Sequence, residues 1–527
     1  MYTPLQTGEV LTLSVRINLT PDPSKLYAAV SENGTRSDTW ILESADTSTA
    51  SGTRSIIAAS NAVRAECRGN VVTLFALNDN GRAALEHLAD QIVGAEISRA
   101  ADKLIAVFPA VATQVEQSQR LIADSPVNVL RAMSRAFQLK LRPHRHGFLI
   151  AGMFGYEFID VYETLPPANE DDDEFPDYVF WLPDQLLLID HAQRQCQVIA
   201  HVFGGANAER VYNDASRAME GLASRCRECH KLQTVLQGRS GPKVTVSADI
   251  DDAQFAENVR RLKIHIGNGD VYQIVASRTF SMPCQKPLSA YLRLREANPS
   301  PYMFYFNAPA YTVFGASPET CLRVEVGDQT HVEISPIAGT RARGLDVDGA
   351  LDPDLDSRIE AELRNDTKEV AEHMMLVDLA RNDIARVSEP GSMTVPRLLS
   401  VERYSHVMHL VSRVRGRLRA NLDCLHAYVA VMNMGTLMGA PKLKAAELLR
   451  RYEKSRRGYY GGAVGYITES GEMDTAIMIR SALVSNGTAR VRAGAGIVFD
   501  SDPAAEVQET TRKAGAVIAA LTDSAVV

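Results

Sequence analysis

Residues 357–386 read SRIEAELRNDTKEVAEHMMLVDLARNDIAR, and the periodicity predicts one long helix. Leu363, Val370, Met374 and Val377 recur at helical spacing as an apolar row. Glu362, Asp366, Glu369 and His373 step by four and three, which places them together on a second face. Neighbouring carboxylates without an interleaved lysine repel one another by roughly a few tenths of a kcal/mol per pair. Such a face either meets water or holds a cation. Solvation accounts for most stripes of this kind; a second group of acids far along the chain is what brings the cation forward.

That stretch sits in a chain of 527 residues, 45% apolar and 23% charged. This is an ordinary globular composition, with length for about two to four domains or one large intertwined pair. A net charge of −8 argues against nucleic acid or an anionic membrane as partner. The opening MYTPLQTGEV lacks a basic region followed by an apolar one, so no secretory signal is expected. No run of about eighteen apolar residues occurs, so no membrane span is expected. Seven cysteines in a chain of this size fit a reducing cytoplasm better than a disulfide scaffold. The string Cys226-Arg-Glu-Cys229-His230 matches a covalent haem attachment pattern. It lies in a helical-looking stretch, ASRAMEGLASRCRECHKLQTVLQ, and helix packing explains it without haem.

Up to about residue 165, strand-like and helix-like segments alternate: strands at 39–45 and 70–77, helices at 111–121 and 127–137, and a buried strand at 147–156. The acidic stretch 169–178 reads as a solvated loop. Two further strands fall within 179–203 and a long helix at 206–237. Gln237-Gly-Arg-Ser-Gly-Pro242 is the most linker-like segment, so the boundary between halves 1–237 and 243–527 is expected there. The second half reads as a helix at 251–268, a strand at 271–280, hairpin strands at 311–324 and 332–337, and a polar turn at Gly339-Thr340-Arg341. After the acidic helix come a strand at 404–416, a helix at 422–434, a loop at 435–441 and another helix. Strands at 461–469, 473–484 and 488–499 precede a last helix that begins at Pro503.

The last helix carries the second group of acids. Asp502 suits its cap and Pro503 its first position, with Glu506 and Glu509 near its start. Glu369 and Glu506, brought together by a sheet, would make a sparse carboxylate site of the kind that holds Mg²⁺ with water and an anionic substrate. Zinc is disfavoured, since no histidine pair has ligand spacing. Gly435-Thr-Leu-Met-Gly439-Ala-Pro-Lys442 lacks the phosphate-loop pattern, and nucleotide binding is rejected. The glycines at 461–462, Gly494 and Gly496 lie in apparent strands, where they either bring backbone N–H groups to a ligand or form bulges. Arg480, ending an apolar strand, could grip a carboxylate in bidentate fashion. Together these features suit a small dianion, which spacing alone does not identify.

Several longer strings are recognisable: SPIAGTRARG (335–344), RNDTKEVAEHMMLVDLARND (364–383), YSHVMHLVSRVRG (404–416), GTLMGAPK (435–442), RGYYGGAVGY (457–466), DTAIMIRSALV (474–484) and RAGAGIVFDSDPAAEVQET (492–510). They closely resemble the large-subunit (component I) family of anthranilate synthases among the chorismate-utilising enzymes. ILES at 41–44 is similar to that family's amino-terminal effector motif. The resemblance implies an α/β fold of the α+β type: two large antiparallel sheets packed as a sandwich with helices outside, the amino-terminal part intertwined with the chorismate-binding part. It implies a carbon–oxygen lyase that takes chorismate and ammonia to anthranilate and pyruvate, the committed step toward tryptophan, with Mg²⁺ as cofactor. Carried over by motif, Glu369 and Glu506 would hold the metal, Glu319 would protonate the departing hydroxyl, and His409 would serve the later elimination of pyruvate. Gly339, Thr340, Tyr460, Arg480, Gly494 and Gly496 would bind substrate, with Thr340 also at the reacting centre. Glu319 is expected to have a raised pKa through nearby carboxylates and the dianion.

Gln273 stands where isochorismate- and salicylate-forming relatives carry a lysine, and Ala338 where many aminodeoxychorismate synthases carry another; both absences favour ammonia entering at C2. Met438 replaces a customary hydroxyl residue, so local loop contacts are expected to differ. No G-x-C-x-G glutaminase elbow is present, so the resemblance implies a separate glutamine amidotransferase subunit in a heterotetramer of two plus two. Glu43, Ser44 and Arg54, with Pro301, Tyr302 and Met303, resemble the family's tryptophan pocket, which implies feedback inhibition. A non-catalytic tryptophan-sensing subunit is the competing reading, and the presence of Glu319, Arg480 and both metal acids argues against it.

Overall fold

The computed structural model describes residues 4–45, 54–167, 175–232, 244–346, 349–404, 407–453 and 455–524. The linker-like segment 237–242 and most of the acidic stretch 169–178 lie outside the described residues. Long alternating and all-apolar runs make strands here because β-branched and aromatic residues fill a pleated, buried surface. Arg54–Arg68 is the extreme case, 15 residues almost wholly buried and paired on Thr39–Glu43, Val71–Ala76 and Tyr178–Asp190.

The architecture is mixed α/β, antiparallel apart from a short parallel contact of Glu9–Ile17 with Gln138–Leu139. The strands expected as two sheets are hydrogen-bonded through into one network of 24 among the described residues. Two pairings intertwine the halves. Thr39–Glu43 lies between Arg54–Arg68 and the distant Tyr302–Asn307, and Leu149–Phe154 pairs with Ala463–Thr468. Trp40 stacks on Phe306 across the first junction, with ring centroids 5.8 Å apart. No helix among the described residues is long and apolar enough to cross a membrane.

The acidic stretch is not one helix. Pro353–Asn365 and Thr367–Ala385 are separate helices broken at Asp366, whose ψ is 105° and whose side chain accepts from the N–H groups of Lys368 and Glu369. An N-cap of this kind is worth about 1 kcal/mol, enough to favour a new start over a continuous turn. The expected acidic face is therefore divided: Glu362 belongs to the first helix, and Glu369 to the second. His373 leaves the row altogether, buried with its Nε2 2.6 Å from the Ser412 hydroxyl.

The expected turn at 339–341 lies instead within a strand, Ile337–Ala342, paired with Val407–Arg417 and interrupted by a bulge between Ala338 and Thr340. Gly339 makes the bulge with a φ of +73°, a conformation that a side chain would strain. The strand expected over 473–484 is also broken. Met473–Ile477 and Ser481–Ser485 are separated by a link in which Arg480 has a φ of +51°.

Candidate functional site

The Gly339 bulge and the Asp366 cap meet. A Cβ on Gly339 would lie 3.3 Å from Glu369 Oε2. Arg341 Nη1 donates to Glu369 Oε1 at 2.9 Å, and its Nη2 donates to Asp366 Oδ2 at 2.7 Å. Across the paired strand, the Thr340 hydroxyl is 2.9 Å from Nδ1 of His409. Burial, aided by Arg480, lowers the His409 pKa to about 4. The ring is therefore neutral near pH 7 and available as a base.

The final helix, Pro503–Ser524, starts as expected, with Asp502 accepting from the Ala505 N–H at 2.9 Å. Glu506 lies within electrostatic reach of the acidic helix, whereas Glu509 pairs with Arg512 and Lys513 of its own helix. The pKa of Glu372 is raised by burial and by the charges of Glu369 and Glu506. That of Glu506 is raised by burial and by Glu509. Glu372 thus feels the charges of both Glu369, on its own helix, and Glu506, on the final helix. Among the described residues no group of three acids, histidines or cysteines is gathered closely enough to enclose a metal ion. Mg²⁺, however, is commonly held by one or two carboxylates with water and substrate oxygens. The repulsion that Glu369 and Glu506 exert on Glu372 fits such a cation. Glu369 is the less ready of the three, because Arg341 already engages it.

Glu319 follows the strand Thr312–Ser317 and is buried. Its Oε1 has no hydrogen-bond partner, and its pKa is raised to about 7. The sequence anticipated this direction but for another reason. Burial raises it, whereas the charged neighbour, Lys513, pulls it down. The Thr436 hydroxyl also moderates the shift, yet it too lacks a well-formed hydrogen bond.

Tyr460 is buried, and a Cβ on Gly494 would come within 2.8 Å of its hydroxyl. A Cβ on Gly496 would come equally close, 2.8 Å, to the Gln273 side-chain nitrogen. These two glycines keep the tyrosine and the amide against the strand Thr488–Ile497. Arg480 is partly buried, its charge felt by Glu509, Tyr460 and His409. No hydrogen bond or ion pair engages its guanidinium among the described residues, so it can take a carboxylate. Met438 is fully buried among Tyr156, Ile274 and Ile497, where a hydroxyl would need a partner.

Three residues here were missed from the sequence. Glu372 stands three positions after Glu369 on the same helix, a spacing that should have drawn it in. Lys513 donates to the Gly494 carbonyl at 3.1 Å and pairs with Glu509, four residues earlier. Thr436, inside the dismissed glycine-rich segment, gave no signal.

A second site lies apart from this cleft. Glu43, Ser44, Arg54, Pro301, Tyr302 and Met303 all line one cavity of about 450 Å³. Register explains their meeting, since Glu43 pairs with Met303 on one side and Ser55 on the other. Glu43 is buried, accepting from Arg295 at 2.9 Å and from Tyr291, and its Oε2 has no partner. Burial is the largest effect on Glu43 and raises its pKa. The Tyr302 hydroxyl donates to Asp474 at 3.0 Å. Three neighbouring strands run from this cavity toward the cleft: Thr320–Glu325 begins beside Glu319, Ala463–Thr468 follows Tyr460, and Met473–Ile477 leads to Arg480.

Residues 90–519 match the family described as chorismate binding enzyme. Anthranilate synthase component 1 of Vibrio cholerae is 46% identical over 523 residues, covering 98% of this chain and 97% of that protein. Its counterpart from Vibrio parahaemolyticus is 44% identical over 515 residues, covering 98% and 93%. The crystal structure of anthranilate synthase component I from Streptococcus pneumoniae is similar with a TM-score of 0.69 at 28% identity, covering 88% of this chain and 92% of that one.

Proposed function

The chain belongs to the chorismate binding enzyme family, and we propose that it is an anthranilate synthase large subunit, converting chorismate and ammonia to anthranilate and pyruvate in the committed step toward tryptophan. The observation that carries this reading is the buried carboxyl of Glu319, whose Oε1 has no hydrogen-bond partner and whose pKa is raised to about 7. Expulsion of a ring hydroxyl at neutral pH needs an acid that still holds its proton.

Arg480 and Lys513 would offer the two cations that a dianion requires, with Tyr460 near both: its hydroxyl backs on Gly494, whose carbonyl Lys513 engages, and it feels the charge of Arg480. Glu319 gives its proton to the C4 hydroxyl, which leaves as water while ammonia enters at C2. His409, neutral and held by Thr340, then takes the C2 proton as the enolpyruvyl C–O bond breaks and the ring becomes aromatic. Glu369 and Glu506, with the charge of Glu372 nearby, would hold Mg²⁺ together with water, and the ion when bound supplies Lewis-acid and templating chemistry at the ring carboxylate. Glutamine-derived ammonia would come from a separate amidotransferase subunit in a two-plus-two assembly. The relatives' designation as component 1 or component I supports a second component. Tryptophan would occupy the 450 Å³ cavity and inhibit through the three strands that join it to the cleft.

The direct test is fluorescence of the purified chain incubated with chorismate, ammonium and Mg²⁺. Anthranilate emission is expected from the wild type and not from E319Q. Absence of emission from folded wild-type protein would overturn the reading.

A further inference from the structure

The Cys226-x-x-Cys229-His230 string finds no place in the catalytic account, but the structure gives it a third sulfur. Cys196 lies at the start of the strand Gln195–Phe203, and Cys226 in the last turn of the helix Ala208–Arg227. The Cys196 thiol donates to Cys226 Sγ across 3.9 Å. No other cysteine pair makes a sulfur–sulfur hydrogen bond among the described residues. Cys67 donates instead to the Gly69 carbonyl, and Cys229 to the Asp22 carbonyl at 3.7 Å. All seven cysteines are free and buried, so burial alone does not distinguish the pair.

We propose that Cys196 and Cys226 form a reversible redox modification site, closed to a disulfide by a hydroperoxide as small as hydrogen peroxide. Two features set the roles. The hydrogen bond from Cys196 and the Arg227 guanidinium both favour the thiolate at Cys226. Cys196 keeps its proton and waits as the resolving thiol. The Cys226 sulfur attacks one peroxide oxygen, the O–O bond breaks, and the hydroxide released takes up a proton to leave as water. The resulting sulfenic acid is then attacked by the Cys196 sulfur; the S–S bond forms, the S–O bond breaks, and a second water departs. Two thiols lose two electrons, and the peroxide gains them. The bond would staple the helix end to the strand and close a loop between positions 30 residues apart. Both cysteines sit in one apolar cluster, 0% and 1% exposed, which favours a small uncharged oxidant over a bulky disulfide.

The test uses the reduced full chain, exposed to hydrogen peroxide, alkylated after denaturation and mapped as peptides. The count of free thiols should fall from seven to two fewer, with a Cys196–Cys226 linked peptide that dithiothreitol releases. Cys67 and Cys284 should stay reduced. C196S and C196A should give no link and should leave Cys226 as a sulfenic acid trapped by dimedone. C229S should still form the link. An unchanged thiol count, a Cys226–Cys229 link, a link between chains, or equal oxidation of Cys67 and Cys284 would each overturn the proposal. Wild-type mapping decides the matter even if a Cys196 variant does not fold.

Discussion

The Thr340 hydroxyl lies 2.9 Å from Nδ1 of His409, the two residues facing each other on paired strands beside the Gly339 bulge. This contact fixes the ring while burial keeps it neutral. A general base is worth about 10²–10⁴ in rate, so H409A should lower kcat by about two orders of magnitude or more, with KM for chorismate little changed. T340V should lower kcat less than H409A does. The base must be unprotonated, so wild-type activity should fall on acidification only as pH approaches about 4. A limb near the ordinary imidazole value, measured in a kcat/KM profile, would count against His409 as that base.

Glu319 should govern the opposite limb. As the acid it must carry its proton, so kcat/KM should fall as pH rises through about 7. E319Q should lose about 10²–10⁴ in kcat. Stability follows the same titration. The folded pKa lies above the ordinary 4.5, so the contribution of protonated Glu319 is complete below that value and is lost as pH rises through about 7. E319Q should therefore melt higher than wild type on the alkaline side of that range, in thermal scans across pH.

Glu372 should matter to Mg²⁺ and Glu362 should not, because the break at Asp366 assigns them to different helices. E372Q should raise the Mg²⁺ concentration needed for half-maximal activity, and for half-maximal thermal stabilisation, by at least about tenfold. E362Q should leave both values unchanged. Equal effects from the two substitutions would contradict the divided acidic face.

Ser44 is buried in the wall of the 450 Å³ cavity. S44F places a ring in that space without touching the cleft. Tryptophan binding, measured by calorimetry, should be lost, and turnover without tryptophan should stay near the wild-type rate. Unchanged inhibition by tryptophan would remove the effector assignment.

Much of this was readable from residues alone, and the misses have physical causes. Asn365-Asp366-Thr367 contains good capping residues, but an aspartate reads alike in a helix and at its start until its ψ is known. Gly339 ahead of the polar Thr340 and Arg341 looked like a turn, whereas a glycine of positive φ serves a strand bulge equally well. The upward shift of Glu319 was foreseen, but its cause was assigned to charges when burial supplies it. Nothing local announced Thr436 or the approach of Cys196 to Cys226, since both depend on segments distant in sequence. The six residues expected at the effector site do line one cavity: Glu43, Arg54, Tyr302 and Met303 lie on strands whose pairing brings them together, and Ser44 and Pro301 flank two of those strands.

The central claim is that one cleft both exchanges the C4 hydroxyl for nitrogen at C2 and expels pyruvate. Quantifying all products from the purified chain with chorismate, ammonium and Mg²⁺, by chromatography with mass detection, tests it most directly. Anthranilate and pyruvate should accumulate in equal amounts, with no lasting aminated intermediate. An aminodeoxy acid that retains its enolpyruvyl group, or isochorismate without nitrogen, would contradict the account.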